Sequence, residues 1–114
     1  MTTMLAQDGA AMPSFGVILI TVPTIEVGQT LARALIEARL AACVTIFPVQ
    51  SIYTWQGEVS QDAEFQLLIK SDLRLFDPLE EMVRSLHPYE VPEVIALPIV
   101  AGSQPYFNWM GEHL

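Results

Sequence analysis

The segment CVTIFPVQSIYTWQGEVSQDAEFQLLIK, residues 43–70, decides the fold. Its first half, Cys43–Tyr53, is rich in β-branched and aromatic residues, and its second half, Val59–Lys70, alternates polar and apolar residues before an apolar end. The turn signal Trp55-Gln56-Gly57-Glu58 lies between them, so the pattern predicts a β-hairpin. Each strand has 10 or more residues, against about 5–6 in an ordinary strand. Strands this long extend beyond a small core, which favours pairing with a neighbouring subunit.

On the N-terminal side of the hairpin, the continuous apolar run Gly16–Val22 predicts a strand buried on both faces. Thr24 is placed to cap a helix that ends near Leu40, because apolar residues recur at helical spacing after it. On the C-terminal side, Ser71 or Asp72 is placed to cap a second helix.

That second helix ends before Pro88, and Val94–Val100 predicts a fourth strand. The order strand, helix, strand, strand, helix, strand is the ferredoxin-like α+β arrangement, βαββαβ. It predicts a four-stranded antiparallel sheet with both helices on one face. The strands are too apolar for the other face to meet water, which again indicates packing between subunits.

The chain has 114 residues and is divided into a leader, residues 1–15, and one ferredoxin-like domain, residues 16–114. A short aromatic segment, Tyr106–Met110, ends the domain and is interpreted as an interface plug. Hydrophobic residues make up 52% of the chain, which is high for a small monomer and predicts an oligomer.

The formal net charge of −8 argues against nucleic acid as a partner. The only cysteine, Cys43, excludes an intrachain disulfide. The N-terminus lacks the basic start and long apolar run of a signal peptide, and no apolar run reaches the length of a membrane span. We therefore expect a cytoplasmic protein.

Two groups of residues are candidates for function. His87 lies beside Glu90 and Glu93 and is a candidate metal ligand, with helix capping as the alternative. Glu64 and Lys70 share a strand face, and with Trp55 and Tyr89 they could line a cleft for a small anionic or aromatic ligand at a subunit boundary; the alternative is an ordinary ion pair with two core aromatics. No nucleophile–base pair is visible, so we expect no enzyme activity.

Several blocks in this order resemble the CutA divalent-cation tolerance proteins: LAACV (40–44), SIYTWQGE (51–58), LIK (68–70), HPYEVPE (87–93), LPI (97–99) and YFNW (106–109). The resemblance implies a ferredoxin-like subunit in a tight homotrimer, similar to PII-like signalling proteins. It also implies a role in tolerance of copper and other divalent cations, without a defined catalytic activity.

Copper binding in some bacterial members of that family is assigned to a cysteine at the end of the first strand and to two adjacent histidines. This chain has Ile20 and Leu86 at two of those positions and keeps only His87. The resemblance therefore implies a divalent-cation tolerance protein with weak copper binding through His87 and nearby oxygens. The alternatives are a PII-like sensor of a small ligand and a structural trimer that acts through protein partners.

Overall fold

A computed structural model describes residues 13–114. Its elements are β1 (Phe15–Val22), α1 (Ile25–Glu37), β2 (Cys43–Trp55), β3 (Glu58–Asp72), α2 (Phe76–Leu86), β4 (Ile95–Pro98) and α3 (Gln104–Glu112). A single 3₁₀ turn, Leu73–Leu75, lies between β3 and α2. The first six main elements follow the predicted order βαββαβ, and α3 comes in addition.

The four strands form one antiparallel sheet in the order β2-β3-β1-β4. β2 is an edge strand, which explains why it accepts Pro48, a residue with no N–H to donate to a ladder. β2 and β3 are joined by Gln56 and Gly57, which have φ of 50° and 81°. Two successive residues with positive φ form a turn whose twist matches that of the strands on either side.

The hairpin is much longer than the rest of the sheet. β1 pairs with β3 only from Phe65 to Asp72, whereas β2 pairs with β3 along its whole length, to the pair Trp55–Glu58. Residues 49–64, which we call the arm, therefore extend beyond the sheet as a two-stranded ribbon. The longest dimension of the chain is 50 Å, about twice the next, which is 26 Å.

Both helices pack on the same sheet face, as the sequence predicts. Alternate residues of β1 and β3 point to this face, and they meet apolar side chains of α1 and α2 in one buried cluster. The cluster includes Ile18, Ile20, Val22, Leu67 and Ile69 from the sheet and Leu31, Leu35, Leu79 and Val83 from the helices. Thr24 caps α1 by accepting a hydrogen bond from the Val27 N–H, as expected.

The opposite sheet face is only partly covered. α3 packs on one end of it, where Phe107 and Met110 join Phe15 and Ala42 in a second buried cluster. The rest of this face leaves large apolar side chains exposed, among them Phe47, Ile95 and Leu97. Exposed apolar surface of this kind is typical of an interaction face.

The structure corrects four details of the sequence interpretation. Asp72 caps the 3₁₀ turn by accepting a hydrogen bond from the Arg74 N–H, and α2 begins later, after Leu75, without a side-chain cap. The aromatic segment Tyr106–Met110, to which the sequence interpretation assigned no helix, is part of α3. The fourth strand is only Ile95–Pro98, shorter than Val94–Val100. Residues 1–12 of the predicted leader lie outside the described residues. Phe15, which the sequence interpretation assigns to the leader, is instead the first residue of β1.

Candidate functional site

A cleft with a volume of about 740 Å³ lies between the arm and the loop that follows α2. The arm contributes Tyr53, Trp55 and Glu64, and the loop contributes Pro88, Tyr89 and Glu90, with further residues of both segments and Thr21 completing the wall. The volume lies within the usual range of small-molecule sites, and a mixed aromatic and carboxylate wall can hold a ligand by both shape and charge.

The buried Glu64 and the partly exposed Tyr89 are hydrogen-bonded to each other in this cleft. The Tyr89 hydroxyl donates a hydrogen bond of 2.7 Å to Glu64 Oε2, and the Glu64 side chain is only 7% exposed. Burial, together with this hydrogen bond to a carboxylate, raises the pKa of Tyr89 well above its usual value. Tyr89 is therefore a neutral hydrogen-bond donor at any physiological pH.

His87 anchors the loop that carries Tyr89. It is the C-cap residue of α2, and its Nε2 lies 2.8 Å from the carbonyl oxygen of Thr21. Its Nδ1 accepts a hydrogen bond of 3.0 Å from the Tyr89 N–H. Since Nδ1 accepts, the ring proton is assigned to Nε2, which donates to Thr21. Both ring nitrogens are thus used within the fold, in a side chain that is 8% exposed.

The outer part of the cleft lies on the arm. The Tyr53 hydroxyl donates to Asp62 Oδ2 across the two strands, and this hydrogen bond raises the pKa of Tyr53. Trp55, two residues further on, has its side chain 55% exposed. Sequence reasoning found Trp55, Tyr89, Glu64 and Glu90 but missed Tyr53, although the period of two along a strand places it on the same face as Trp55.

The structure does not place Lys70 in this cleft. Lys70 shares a strand face with Glu64, but six residues along a strand span about 20 Å. Its ammonium group instead donates to the Tyr106 hydroxyl at 3.1 Å and lies 5.1 Å from the centroid of that ring. Within one chain, Lys70 therefore neither lines this cleft nor forms the alternative ion pair with Glu64, and the predicted cleft at a subunit boundary stays a prediction.

The residues around His87 do not fit a copper site within one chain. A ligating imidazole needs a free lone pair, and the only nitrogen lone pair of His87 accepts the Tyr89 N–H. Among residues 13–114, no group of three or more His, Cys, Asp or Glu side chains is arranged to hold a metal ion. Glu90 is exposed in the cleft wall and could supply only an oxygen.

The CutA1 divalent ion tolerance protein family matches residues 16–113. The chain belongs to this family. It is 54% identical over 98 residues to the divalent-cation tolerance protein CutA of Thermus thermophilus, a match that covers 85% of this chain and 95% of the relative. It is 45% identical to the chloroplastic CutA of Arabidopsis thaliana, of which the match spans 57%.

Solved structures of CutA1 proteins have the same fold. The Thermus thermophilus protein superimposes with a TM-score of 0.84 at 53% identity, covering 87% of this chain and 97% of that one. The Oryza sativa CutA1 gives 0.86 at 45% identity, covering 89% and 94%. The mixed α+β fold with a four-stranded antiparallel sheet and the assignment to a divalent-cation tolerance family are thereby confirmed. Within residues 13–114, none of the helices is both long and apolar enough to cross a membrane.

Proposed function

We propose that this CutA1 family member is a non-enzymatic divalent-cation tolerance protein that works as a cytoplasmic homotrimer of ferredoxin-like subunits. The main structural support for this proposal is the arm. It is a two-stranded ribbon beyond the helix-covered sheet, and a ribbon of two strands is at best marginally stable alone in water. A neighbouring subunit supplies the missing strand pairing and apolar contact.

The arm has the edges and the side chains that such pairing needs. In residues 58–64, β3 pairs with β2 on one side, and β1 does not reach the other. Unpaired backbone N–H and C=O groups form a template for another strand. Ile52 and Val59 on the arm are 67% and 78% exposed, an exposure that costs free energy in a monomer and that an interface removes.

The trimeric state is supported by the resemblance to CutA and PII-like proteins. A head-to-tail contact, in which the arm of each subunit pairs with the sheet of the next, closes into a ring without leaving a free arm. The proposal of a non-enzymatic role follows from the resemblance to the CutA family, which implies no defined catalytic activity.

Two valines provide a matched test of the arm. Val59 on the arm and Val100 after β4 are 78% and 81% exposed, so a lysine is equally tolerated by the isolated subunit at both places. We expect Val59→Lys to lower the mass measured by light scattering after gel filtration, and Val100→Lys to leave it unchanged. If Val59→Lys keeps the wild-type mass, the arm is not the interface; if both variants dissociate, the interface also includes the segment after β4.

Copper binding through His87 and Glu90 stays a prediction of the family resemblance. In a single chain it requires His87 to break its contact with the Tyr89 N–H, which makes any such site weak. Calorimetric titration of copper into the wild type and into Glu90→Gln and His87→Ala measures this directly. Identical isotherms for all three proteins would show that neither His87 nor Glu90 is a copper ligand.

The cleft favours a second candidate function, the sensing of a small ligand. Its volume and its convergent polar groups at Glu64 and Tyr89 are those of a binding site. A thermal-shift screen against a broad metabolite panel tests this function, because a ligand that binds the folded state raises the melting temperature. A panel with no stabilising compound would argue against it.

A further inference from the structure

The charges of the cleft are all of one sign. Three of its lining residues, Glu64, Glu90 and Glu93, carry carboxylates. The chain has five Lys and Arg residues, all within the part of the chain that the structure describes, and none of them lines the cleft. Within one subunit, an anionic ligand would therefore meet carboxylates and no opposite charge, which disfavours the class of ligand that Lys70 in the cleft would have attracted.

Glu64 gives the cleft a buried charge without a counter-ion. Its side chain is 7% exposed, and its hydrogen-bond partner, Tyr89, is a neutral phenol. Across residues 13–114 the structure contains one ion pair, between Arg74 and Asp72, and it does not involve Glu64. A buried carboxylate without an opposite charge is costly, so a cation placed beside Glu64 would be favoured.

The wall around Glu64 is better suited to an organic cation than to a metal ion. Calcium takes six to eight oxygen ligands, and magnesium requires a near-ideal octahedron, but no group of three or more potential ligands converges among the described residues. The aromatic rings of Tyr53, Trp55 and Tyr89 instead line the cleft. Aromatic faces attract ammonium groups, most strongly that of tryptophan.

We propose that the cleft binds a small organic cation, with Glu64 as its counter-ion and Trp55 as its aromatic wall. The proposal rests on the second candidate function, ligand sensing, and names the class of ligand. Tyr89 acts as a positioning residue, because its hydroxyl orients the Glu64 carboxylate. Glu90 and Glu93 at the exposed rim attract the cation without being its main contact.

The chain contains its own reporters for a test. It has two tryptophans, and Trp55 lines the cleft whereas Trp109 stacks on Tyr106 within α3, at a centroid distance of 5.5 Å. In a ¹⁵N-labelled protein the two indole N–H signals can be followed separately. The probes are benzyltrimethylammonium and phenylacetate, which share a phenyl ring and differ in the sign of their charge.

We expect benzyltrimethylammonium to shift the Trp55 indole signal to saturation and to leave the Trp109 signal in place, with phenylacetate shifting neither. Glu64→Gln keeps the shape and the oxygen that accepts from Tyr89, so it should fold and bind the probe about tenfold more weakly or worse. Glu81→Gln, on the exposed side of α2, is the matched control and should bind as the wild type does.

Three results would overturn the proposal: no saturable shift of Trp55 up to about 10 mM probe, equal affinity for phenylacetate, or equal affinity of Glu64→Gln and the wild type. Binding of phenylacetate alone would refute the cationic class while leaving ligand sensing intact. A screen in which no compound of any charge binds would refute both. The mass of the assembly is measured separately, so failure here is distinguishable from failure of the trimer.

Discussion

The hydrogen bond from Tyr89 to Glu64 can be removed with a single-atom change. Tyr89→Phe deletes the hydroxyl that donates to Glu64 Oε2 at 2.7 Å, and it leaves the ring to pack against His87, whose ring centroid lies 4.7 Å away. A hydrogen bond to a charged acceptor contributes about 1.5–3 kcal/mol, and a buried acceptor left without its donor costs a similar amount. Because the cleft admits water to the freed oxygen, we expect a loss of about 1.5–2 kcal/mol.

Tyr53→Phe is the matched control. Tyr53 makes the same type of bond, to Asp62, but both groups are exposed within their own subunit, whereas Glu64 is buried within its own subunit. We expect the free energy of unfolding to fall less in Tyr53→Phe than in Tyr89→Phe. The assay is urea unfolding at one fixed protein concentration, since self-association makes stability depend on concentration. A lower midpoint with an unchanged slope identifies a true loss of stability.

The reasoning fails if Tyr89→Phe and Tyr53→Phe have the same midpoint. It also fails if Tyr89→Phe destabilises Glu64→Ala, which has no acceptor for the tyrosine hydroxyl, as much as it destabilises the wild type, because the double-mutant cycle would then show no coupling between the two side chains. Coupling confined to this pair is expected, since no other hydrogen bond of the Tyr89 hydroxyl is seen in residues 13–114.

Two further predictions concern stability. Burial alone would raise the pKa of Asp72, but hydrogen bonds from Arg74 and from the Ser14 N–H outweigh it and lower that pKa. A lowered folded-state pKa contributes stability above the unfolded value and loses it as the pH falls. Asp72→Asn should therefore lower the free energy of unfolding by about 1–3 kcal/mol at pH 7. In urea unfolding at several pH values, the difference in stability between wild type and variant should shrink below pH 3.8. A difference that stays constant with pH would contradict this. A methyl group at Gly102 would lie 2.5 Å from the buried Phe107 ring, whereas one at Gly111 would lie 3.8 Å from its nearest neighbour. In thermal unfolding, Gly102→Ala should therefore be destabilised by about 1–3 kcal/mol. Gly111→Ala should be as stable as the wild type or more stable. The opposite order would refute the packing of α3.

The hairpin and the order of elements could be predicted because their signals are local. Period-two alternation, a glycine turn and the Thr24 helix cap depend on neighbours in sequence, and these three are found where they were expected. The cap expected at Ser71 or Asp72 is not found at the start of α2, because a 3₁₀ turn separates Asp72 from that helix. α3 was missed because its aromatic residues were interpreted as a plug. Ser103, which caps the helix by accepting from the Tyr106 N–H, and Pro105 in the first turn were the available signals.

The cleft was predictable in part. Tyr89 and Glu64 are 25 residues apart, and only the register of β3 against β1 and the anchoring of the loop by His87 bring them together. Sequence could place Lys70 on the same face as Glu64 but not within reach of it. The partner of His87, a backbone carbonyl of Thr21, carries no sequence signal, since every residue has one.

Sedimentation of the 114-residue chain over about a hundredfold dilution tests the central claim most directly, because it measures whether the arm pairs with other copies of the chain. We expect one species at three times the 12.6-kDa mass of the chain at every concentration. A stably folded species of 12.6 kDa would show that the arm needs no partner and would contradict the proposed assembly.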